Sequence, residues 1–332
     1  MASADTRRYN LNGLVQVEVT GPRSYLEYFD NEYSRIAQRP LAAPVPTVCL
    51  RIVDRIGQEN ARSLHYKGLF HFRYAVTGLD SASPVIEFER HWLDRLYTTP
   101  VGAFVQGQLL EPVIYQKLLE NGVLFMHCAG VAKDGEAFVF PAHGGTGKTT
   151  LSLALMRNGY DLMGDDLLMV DTATGTVHPY ARPLHLFTYN LKTLTVPPRI
   201  RAAIALKDVI RSAIALTTGK RFLISTRAHA DEFLEVSYAS PSRLGGLIFL
   251  RRDGEEQRFD LSRSDDLEEA IEMIINSADL NLSLAENIGF TDRLKETERK
   301  VIGQVLAHAG EMRAVNARAL TTDADRIALL SN

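Results

Sequence analysis

The amino-acid sequence predicts an α/β fold, with a small α+β domain over residues 1–100 followed by a larger α/β domain over residues 101–332. Three observations support this prediction. Short alternating apolar runs occupy much of the first domain. Near the middle, a tight hairpin leads into a glycine-rich turn and then an amphipathic helix. In the remainder, helical spacing alternates with apolar strand-like runs.

The composition is typical of a folded globular protein. The chain has 332 residues, 45% of them hydrophobic, and a net charge of -3 that offers no basic field to nucleic acid. No apolar run approaches a membrane span, and residues 1–13 lack the apolar core of a signal peptide. Cys49 and Cys128 form no CxxC motif. We therefore expect a cytoplasmic protein with reduced thiols that binds neither nucleic acid nor membrane.

The first domain is predicted from local patterns. Residues 25–38 have helical spacing, and a break with Pro40, Pro44 and Pro46 follows them. Aromatic side chains in this part are expected to fill a core, and no catalytic grouping is evident. Strands are predicted at residues 14–19, 47–53, 69–76 and 85–89.

The second domain alternates helices and strands. Asp134 and Gly135 are a strong signal for a hairpin turn between the first two strands. Strands are predicted at residues 123–131, 137–140, 167–170, 176–180, 244–250 and 312–320. Helices are predicted at 109–119, 149–158, 202–215, 267–275, 294–305 and 323–330.

The glycine-rich turn at residues 142–149 reads Ala-His-Gly-Gly-Thr-Gly-Lys-Thr, which is typical of a phosphate-binding P-loop. Its glycines let backbone N–H groups turn inward around a phosphate, and the following helix directs its positive end at the anion. Lys148 supplies charge for the outer phosphates, and Thr149 offers a hydroxyl to Mg²⁺. Alanine at position 142, where glycine is usual, is acceptable if its φ is negative. The predicted nucleotide-binding residues are His143, Gly144, Gly145, Thr146, Gly147, Lys148, Thr149 and Thr150.

A magnesium–nucleotide site needs a carboxylate, and the chain offers two candidates. Asp171 follows the apolar run at 167–170, as a Walker B aspartate does, but it also begins a turn. Asp165 and Asp166 follow a short strand and a glycine, where both side chains can reach one site. Two carboxylates there can divide the work. One stays ionised on the metal while the other takes the proton of an attacking hydroxyl.

A histidine and three arginines complete the candidate set. His127 lies in the apolar strand before the hairpin, where an imidazole either packs in the core or supports a catalytic carboxylate. The three arginines are Arg182, Arg251 and Arg252. Each is either a surface residue or a hydrogen-bond donor to a terminal phosphate or an acidic acceptor. A guanidinium is suited to binding such anions because its N–H donors form a planar fork.

Together these residues resemble the HPr kinase/phosphorylase family. The likeness rests on His127 in the run FMHCAGV, the loop at 142–149, and the adjacent Asp165 and Asp166, all at the family's spacing. It covers residues 120–280 and implies the P-loop fold that HPr kinases share with phosphoenolpyruvate carboxykinases.

The resemblance also implies site roles. Lys148 would act on the phosphates, Thr149 and one aspartate would bind Mg²⁺, and the other aspartate would be the catalytic base. We favour Asp165 as the base and Asp166 as the metal ligand, and leave the order of the pair open. His127 would strengthen the base.

The likeness is incomplete downstream of the acid pair. HPr enzymes carry a glycine-rich signature with a metal-binding glutamate there, whereas residues 176–185 read Thr-Val-His-Pro-Tyr-Ala-Arg-Pro-Leu-His. This segment contains no acidic residue, which weakens the case for HPr as the substrate and the case for a reverse phosphorylase activity. The chain looks more like divergent relatives found beside peptide and natural-product pathways. Among these, the lasso-peptide kinases phosphorylate a serine of a precursor peptide.

The implied function is an ATP- and Mg²⁺-dependent kinase that transfers the γ-phosphoryl group to a hydroxyl of a peptide, protein or small metabolite. The first domain would help select this acceptor, and a homo-oligomer would fit because family members are often oligomers. One alternative is a nucleotide-binding switch or regulatory module without transfer activity, although the guanine-reading Asn/Thr-Lys-x-Asp motif is missing. Another is a carboxykinase-type enzyme, although the extra metal-binding lysine and histidine of that family are not evident.

Overall fold

The computed structural model describes residues 5–36, 38, 44–57, 61–66, 70–95, 98–192, 194–218, 225–277 and 291–330. These residues form a mixed α/β protein with a six-stranded sheet, an eight-stranded sheet and a two-stranded ribbon, so the predicted α/β class is confirmed. None of the described helices has both the length and the apolar character needed to cross a lipid bilayer. Cys49 and Cys128 are not joined in a disulfide.

The six-stranded sheet has the order β1-β2-β3-β6-β5-β4. Along β2 buried and half-buried residues alternate, which leaves one face for the core. Helix α1 (Arg23–Tyr33) packs on that face through tyrosines and a phenylalanine. The strands are β1 (Asp5–Leu11), β2 (Val15–Gly21), β3 (Thr47–Val53), β4 (Arg62–Tyr66), β5 (Phe70–Thr77) and β6 (Val85–Glu89).

Several predictions for this sheet are confirmed, and some elements were missed. The strands predicted at 47–53 and 85–89 have the observed bounds. Strands β1 and β4 were not predicted, because both are polar strands at the edges of the sheet. Helix α1 ends at Tyr33, whereas the sequence predicted an end at residue 38. The next residue, Ser34, donates a hydrogen bond from its hydroxyl to the Asn31 carbonyl at 2.9 Å, which competes with the helical hydrogen bonds.

Three consecutive helical segments connect the two sheets. They are α2 (Thr98–Val105), a π-helical turn (Gln106–Leu110) and α3 (Glu111–Glu120). The sequence predicted only one helix, at 109–119. A π-turn has i→i+5 hydrogen bonds and carries no distinct sequence pattern, so it could not be foreseen.

The eight-stranded sheet has the order β11-β10-β7-β8-β14-β16-β15, and β9 also pairs with β7. Its strands are β7 (Val123–Lys133), β8 (Glu136–Pro141), β9 (Asp161–Gly164), β10 (Leu167–Asp171), β11 (Thr176–His178), β14 (Ser242–Arg251), β15 (Gln257–Arg258) and β16 (Glu311–Asn316). The ribbon consists of β12 (Leu184–Leu186) and β13 (Thr226–Ala228). The helices are α4 (Lys148–Met156), α5 (Pro198–Thr218), α6 (Ser264–Ser277), α7 (Thr291–Leu306) and α8 (Asp323–Ala328).

The predicted hairpin before the glycine-rich turn is present. Asp134 and Gly135 have φ values of 52° and 81°, the left-handed conformation that a two-residue turn between β7 and β8 requires. Strand β8 then runs parallel to β14, and β14 runs parallel to β16. The hairpin is therefore joined to a parallel group of strands, and the glycine-rich turn follows the carboxyl end of β8.

Both faces of the eight-stranded sheet are covered. Strand β14 sends Leu247 and Phe249 into one apolar cluster, and Ile248 and Leu250 into another. A strand buried on both faces has to be apolar throughout, which explains its unbroken run of large apolar residues. The first cluster continues through α2 and α3 into the six-stranded sheet. The domain boundary near residue 100 stays a prediction.

Candidate functional site

The centre of the candidate site is the middle of β7. Cys128 lies opposite Pro141, the last residue of β8, so the glycine-rich loop begins beside it. On the other edge of β7, the Cys128 amide donates to the Asp166 carbonyl at 3.1 Å, in the bend between β9 and β10. One short piece of strand thus has the loop on one side and the acid pair on the other.

The glycine-rich loop (residues 142–149) turns from β8 into α4. Gly145 and Gly147 have φ values of 75° and 107°, which a side chain would strain. Helix α4 begins at Lys148, directly after Gly147, so the unpaired amides of its first turn lie at the loop. Ala142 is buried and has no positive φ, so it meets the condition that alanine requires at this position.

Lys148 is buried beneath the loop. Its ammonium donates to the Ala142 carbonyl at 2.5 Å and lies 3.4 Å from Nε2 of His127, which is buried in β7. The charge is thus held within the loop by fixed partners. A charge in this position acts at short range on any anion that the loop amides bind.

The other predicted loop residues form the turn itself. The Thr146 hydroxyl donates to the His143 carbonyl at 2.6 Å, which closes the loop on itself. Thr149 and Thr150 lie in the first turn of α4. The predicted binding residues are therefore contiguous in space as well as in sequence.

Asp165 faces the loop side of the site. The Thr149 hydroxyl donates to its Oδ2 at 2.7 Å, which leaves the lone pairs of that hydroxyl available to a cation. Its Oδ1 is buried and has no hydrogen-bond partner among the residues that the structure describes. Burial raises the pKa of Asp165 to about 7, against the lowering effect of the Thr149 hydrogen bond.

Asp166, the next residue, faces a histidine and an arginine. Its Oδ1 lies 3.3 Å from Nε2 of His127, and its Oδ2 accepts a hydrogen bond from Nη2 of Arg182. Burial opposes its ionisation, but the His127 hydrogen bond and the Arg182 charge outweigh burial and hold the pKa of Asp166 well below its usual range. Because 44% of this side chain is exposed, a ligand can reach it.

An open pocket borders the acid pair. Its empty volume is about 210 Å³, and its walls include both carboxylates, Tyr180, Arg182 and the start of β12. Because this space is continuous with solvent, a group that enters from outside can reach the acid pair.

The oxygen donors at this site fit Mg²⁺. The Thr149 hydroxyl and the ionised Asp166 carboxylate are hard ligands, and Oδ1 of Asp165 is a further oxygen without a partner among the described residues. No group of three or more His, Cys, Asp or Glu side chains able to cage a metal occurs in the described part of the chain. Mg²⁺ on a nucleotide needs only one or two protein ligands, because phosphates and water supply the others.

Asp171, the alternative carboxylate, lies elsewhere. It pairs with Val123 at the far end of β10 and accepts hydrogen bonds from the Ala173 amide at 2.8 Å and the Thr174 hydroxyl at 3.0 Å. Its carboxylate therefore stabilises a turn, and its position favours the acid pair as the partners of the loop.

The three arginines have different surroundings. Arg251 pairs with Glu269 at 2.8 Å, and among the described residues its other hydrogen bond to an oxygen is to Gln257. Exposed Arg252 donates to the Gly144 carbonyl at 3.1 Å and so lies against the loop. Arg182 is buried and bridges Asp166 to Glu111.

Glu111 is the main residue that the sequence did not single out. It is the first residue of α3, and it is buried. An acidic residue at a helix start usually faces water and favours the helix dipole, so its identity alone gave no reason to choose it. Its place within the long apolar run around 109–119 was the one available signal.

A comparison with protein-family models and with curated protein sequences finds no match for this chain.

Proposed function

We propose that this protein is an ATP- and Mg²⁺-dependent kinase that transfers the γ-phosphoryl group of ATP to a hydroxyl of a peptide, protein or small metabolite. The observation that carries the proposal is a meeting of features around β7. A buried lysine, a turn of left-handed glycines and two adjacent carboxylates with opposite surroundings converge there. A strand–turn–helix corner with a purely structural role would not need this combination.

We also propose that residues 101–332 share the P-loop fold of HPr kinases and phosphoenolpyruvate carboxykinases. Support comes from the β7–β8 hairpin that precedes the loop, the parallel strands β8, β14 and β16, and the helix that follows the loop. A hairpin entry of this kind differs from the entry into the loop of common GTPases.

The loop side of the site would hold the nucleotide. Amides of residues 143–149 and the start of α4 would surround the phosphates, with Lys148 supplying positive charge from below. Mg²⁺, held by Thr149 and Asp166, would neutralise charge on the phosphates. Catalysis would come from positioning and from charge stabilisation.

Asp165 would accept the proton. The acceptor oxygen forms a bond to the γ-phosphorus while the bond from that phosphorus to the bridging oxygen of ADP breaks, and ADP keeps the electron pair. The hydroxyl proton passes to Oδ1 of Asp165, which has no other partner among the described residues. A carboxyl with a pKa of about 7 is suited to this exchange near neutral pH, whereas Asp166 is held ionised.

The acceptor would enter through the pocket beside the acid pair. Asp165 and Asp166 line this pocket, so a hydroxyl placed there would lie beside the proposed base. HPr is a poor candidate, because residues 176–185 lack the acidic signature of the HPr enzymes. Acceptor selection by the first domain, a homo-oligomer and a cytoplasmic location stay predictions.

The direct test combines the protein, ATP and Mg²⁺ with hydroxyl-bearing peptides and metabolites, and detects an added phosphate by mass spectrometry. We expect a phosphorylated acceptor with the wild-type chain, and none with the double variant Asp165→Asn, Asp166→Asn. Transfer by the double variant at a rate near wild type would exclude this assignment. Slow ATP hydrolysis with no phosphorylated acceptor would favour a nucleotide-dependent switch.

A further inference from the structure

Behind the acid pair, a buried arginine is shared between two carboxylates. Nη2 of Arg182 donates to Asp166, and Nη1 of the same guanidinium donates to Glu111. The Arg182 and Glu111 side chains are only 8% and 5% exposed. Nε of Arg182 has no hydrogen-bond partner among the described residues, so the guanidinium is held by these two carboxylates and by the Tyr180 ring, 5.4 Å from its carbon.

The π-helical turn explains why Glu111 points at Arg182. The Glu111 amide donates to the Gln106 carbonyl, five residues earlier. In an α-helix, residues five apart would lie about 140° apart around the axis, whereas the wider π-turn brings them closer to one face. Gln106 accordingly accepts a hydrogen bond from the Tyr28 hydroxyl at 2.6 Å, on the same buried side as Glu111. Turns of this type occur frequently at functional sites.

Both oxygens of Asp166 are thereby engaged. His127 lies at Oδ1 and Arg182 at Oδ2, so the carboxylate is fixed in one orientation. Without Glu111, the Arg182 guanidinium would keep a buried charge with only Asp166 as its partner. It would then turn both of its terminal nitrogens toward Asp166, since arginine prefers bidentate pairing with a carboxylate.

We propose that Glu111 and Arg182 are positioning residues: Glu111 holds one arm of Arg182 so that the other arm orients the Asp166 carboxylate toward the metal of a bound nucleotide. This inference rests on the kinase function proposed above. It assigns to the start of α3, in the connection between the two sheets, an influence on metal binding that acts through Arg182 and Asp166.

A second buried carboxylate that contacts α3 provides a matched control. The Tyr115 hydroxyl, on α3, donates to Glu298 on α7, and both side chains are buried. Glu298 resembles Glu111 in burial and chemistry, but its hydrogen bond goes to Tyr115 and not to Arg182 or Asp166. Loss of Glu298 should therefore destabilise the protein without altering its use of metal.

The test measures binding of a fluorescent ADP analogue to the full-length chain, with and without Mg²⁺ and with no acceptor present. Mg²⁺ should strengthen binding of the ADP analogue, and we measure the Mg²⁺ concentration that gives half of this effect. For Glu111→Gln and for Arg182→Lys, we expect this concentration to rise about 10- to 100-fold, while binding of the analogue without metal changes little. Glu111→Asp should recover part of the loss. Thermal unfolding of each variant, compared with Glu298→Gln, separates this effect from a general loss of stability.

Two outcomes would overturn the inference, and they are distinguishable. If Glu111→Gln and Glu298→Gln both have the Mg²⁺ dependence of wild type, Glu111 has only a structural role while the kinase proposal survives. If the wild-type chain binds no nucleotide at any Mg²⁺ concentration, the proposed function itself fails. The double variant Glu111→Gln, Arg182→Lys should need no more Mg²⁺ than the more impaired of the two single variants, because the two residues act as one unit.

Discussion

The candidate site has a loop side, which contacts Asp165, and an arginine side, which contacts Asp166. The two sides shift the pKa values of these adjacent carboxylates in opposite directions. On the loop side, Asp165 meets the Thr149 hydroxyl and buried surroundings, and its pKa is raised to about 7. On the arginine side, Asp166 meets His127 and Arg182, and its pKa is lowered. The difference teaches that the neighbours of a side chain, more than its identity, decide whether it exchanges a proton or stays charged.

The largest expected effect comes from removing the acid on the loop side. Asp165→Asn keeps the size of the side chain and can still accept from Thr149, but it cannot take the acceptor proton. We expect phosphoryl transfer to fall about 100- to 10,000-fold, as for loss of a general base. Single-turnover rates with a phosphorylatable acceptor measure it. A rate within about twofold of wild type would move the role of base to Asp166.

The same variant can be tested without substrate. Ionisation of Asp165 costs stability, because its pKa in the folded state, about 7, lies above its ordinary value of 3.8. The folded state holds this proton more tightly than the unfolded state does, so the free energy of unfolding of wild type should fall as the pH rises from about 4 through about 7. The free energy of unfolding of Asp165→Asn should gain about 2–4 kcal/mol relative to wild type over that interval. Urea unfolding across these pH values gives the difference, and a difference independent of pH contradicts the buried environment.

Removing the cation on the loop side should have the next largest effect. Lys148→Ala takes away the charge that the loop holds under the phosphates, so we expect transfer to fall about 100- to 1,000-fold and nucleotide binding to weaken. Lys133→Ala is the matched control, since that lysine lies at the end of β7 beside the hairpin turn, over the ring of Tyr160. Equal losses in both variants would argue against a specific role for Lys148.

A smaller effect is expected from the residue that joins the two sides. His127 lies 3.4 Å from the Lys148 ammonium and 3.3 Å from Oδ1 of Asp166. His127→Gln removes one hydrogen bond to a charged group, so the rate of transfer should fall about tenfold, equivalent to about 1.4 kcal/mol. We expect the loss mainly in kcat, with KM for ATP little changed. A change confined to KM would show that His127 serves nucleotide binding instead.

The smallest effect on phosphoryl transfer is expected from substitution of Asp171, which lies on neither the loop side nor the arginine side of the site. Asp171→Ala removes two turn hydrogen bonds and should lower the free energy of unfolding by about 1 kcal/mol. Phosphoryl transfer and its Mg²⁺ dependence should stay at wild-type values. An increased Mg²⁺ requirement in this variant would revive the Walker B interpretation.

The sequence could predict the segment from β8 through the loop to α4, because its signals are local. Apolar strand residues, glycines with left-handed φ and a helix start all act within a few residues of one another. It could also indicate that both side chains of the acid pair can reach one site, because the pair follows a short strand and a glycine. Short elements such as β12 and β13, with three residues each, carry no period that a pattern can reveal.

The different surroundings of the two aspartates could not be predicted from local patterns. Those of Asp166 include Arg182, which also pairs with Glu111, 71 residues away in the chain. That pairing in turn depends on a π-turn, which no residue pattern announces. Contacts of this range arise only when the two sheets and their connecting helices pack together.

The apolar cluster that continues from one sheet to the other limits which truncated fragments of the protein can be soluble. Val101, Val105 and Val113, on the connecting helices, belong to the same cluster as the six-stranded sheet. A fragment that starts near residue 101 would expose these side chains to water and would tend to precipitate. Truncated forms made for crystallisation or screening should therefore retain both sheets, and poor solubility of shorter forms would reflect this uncovered surface.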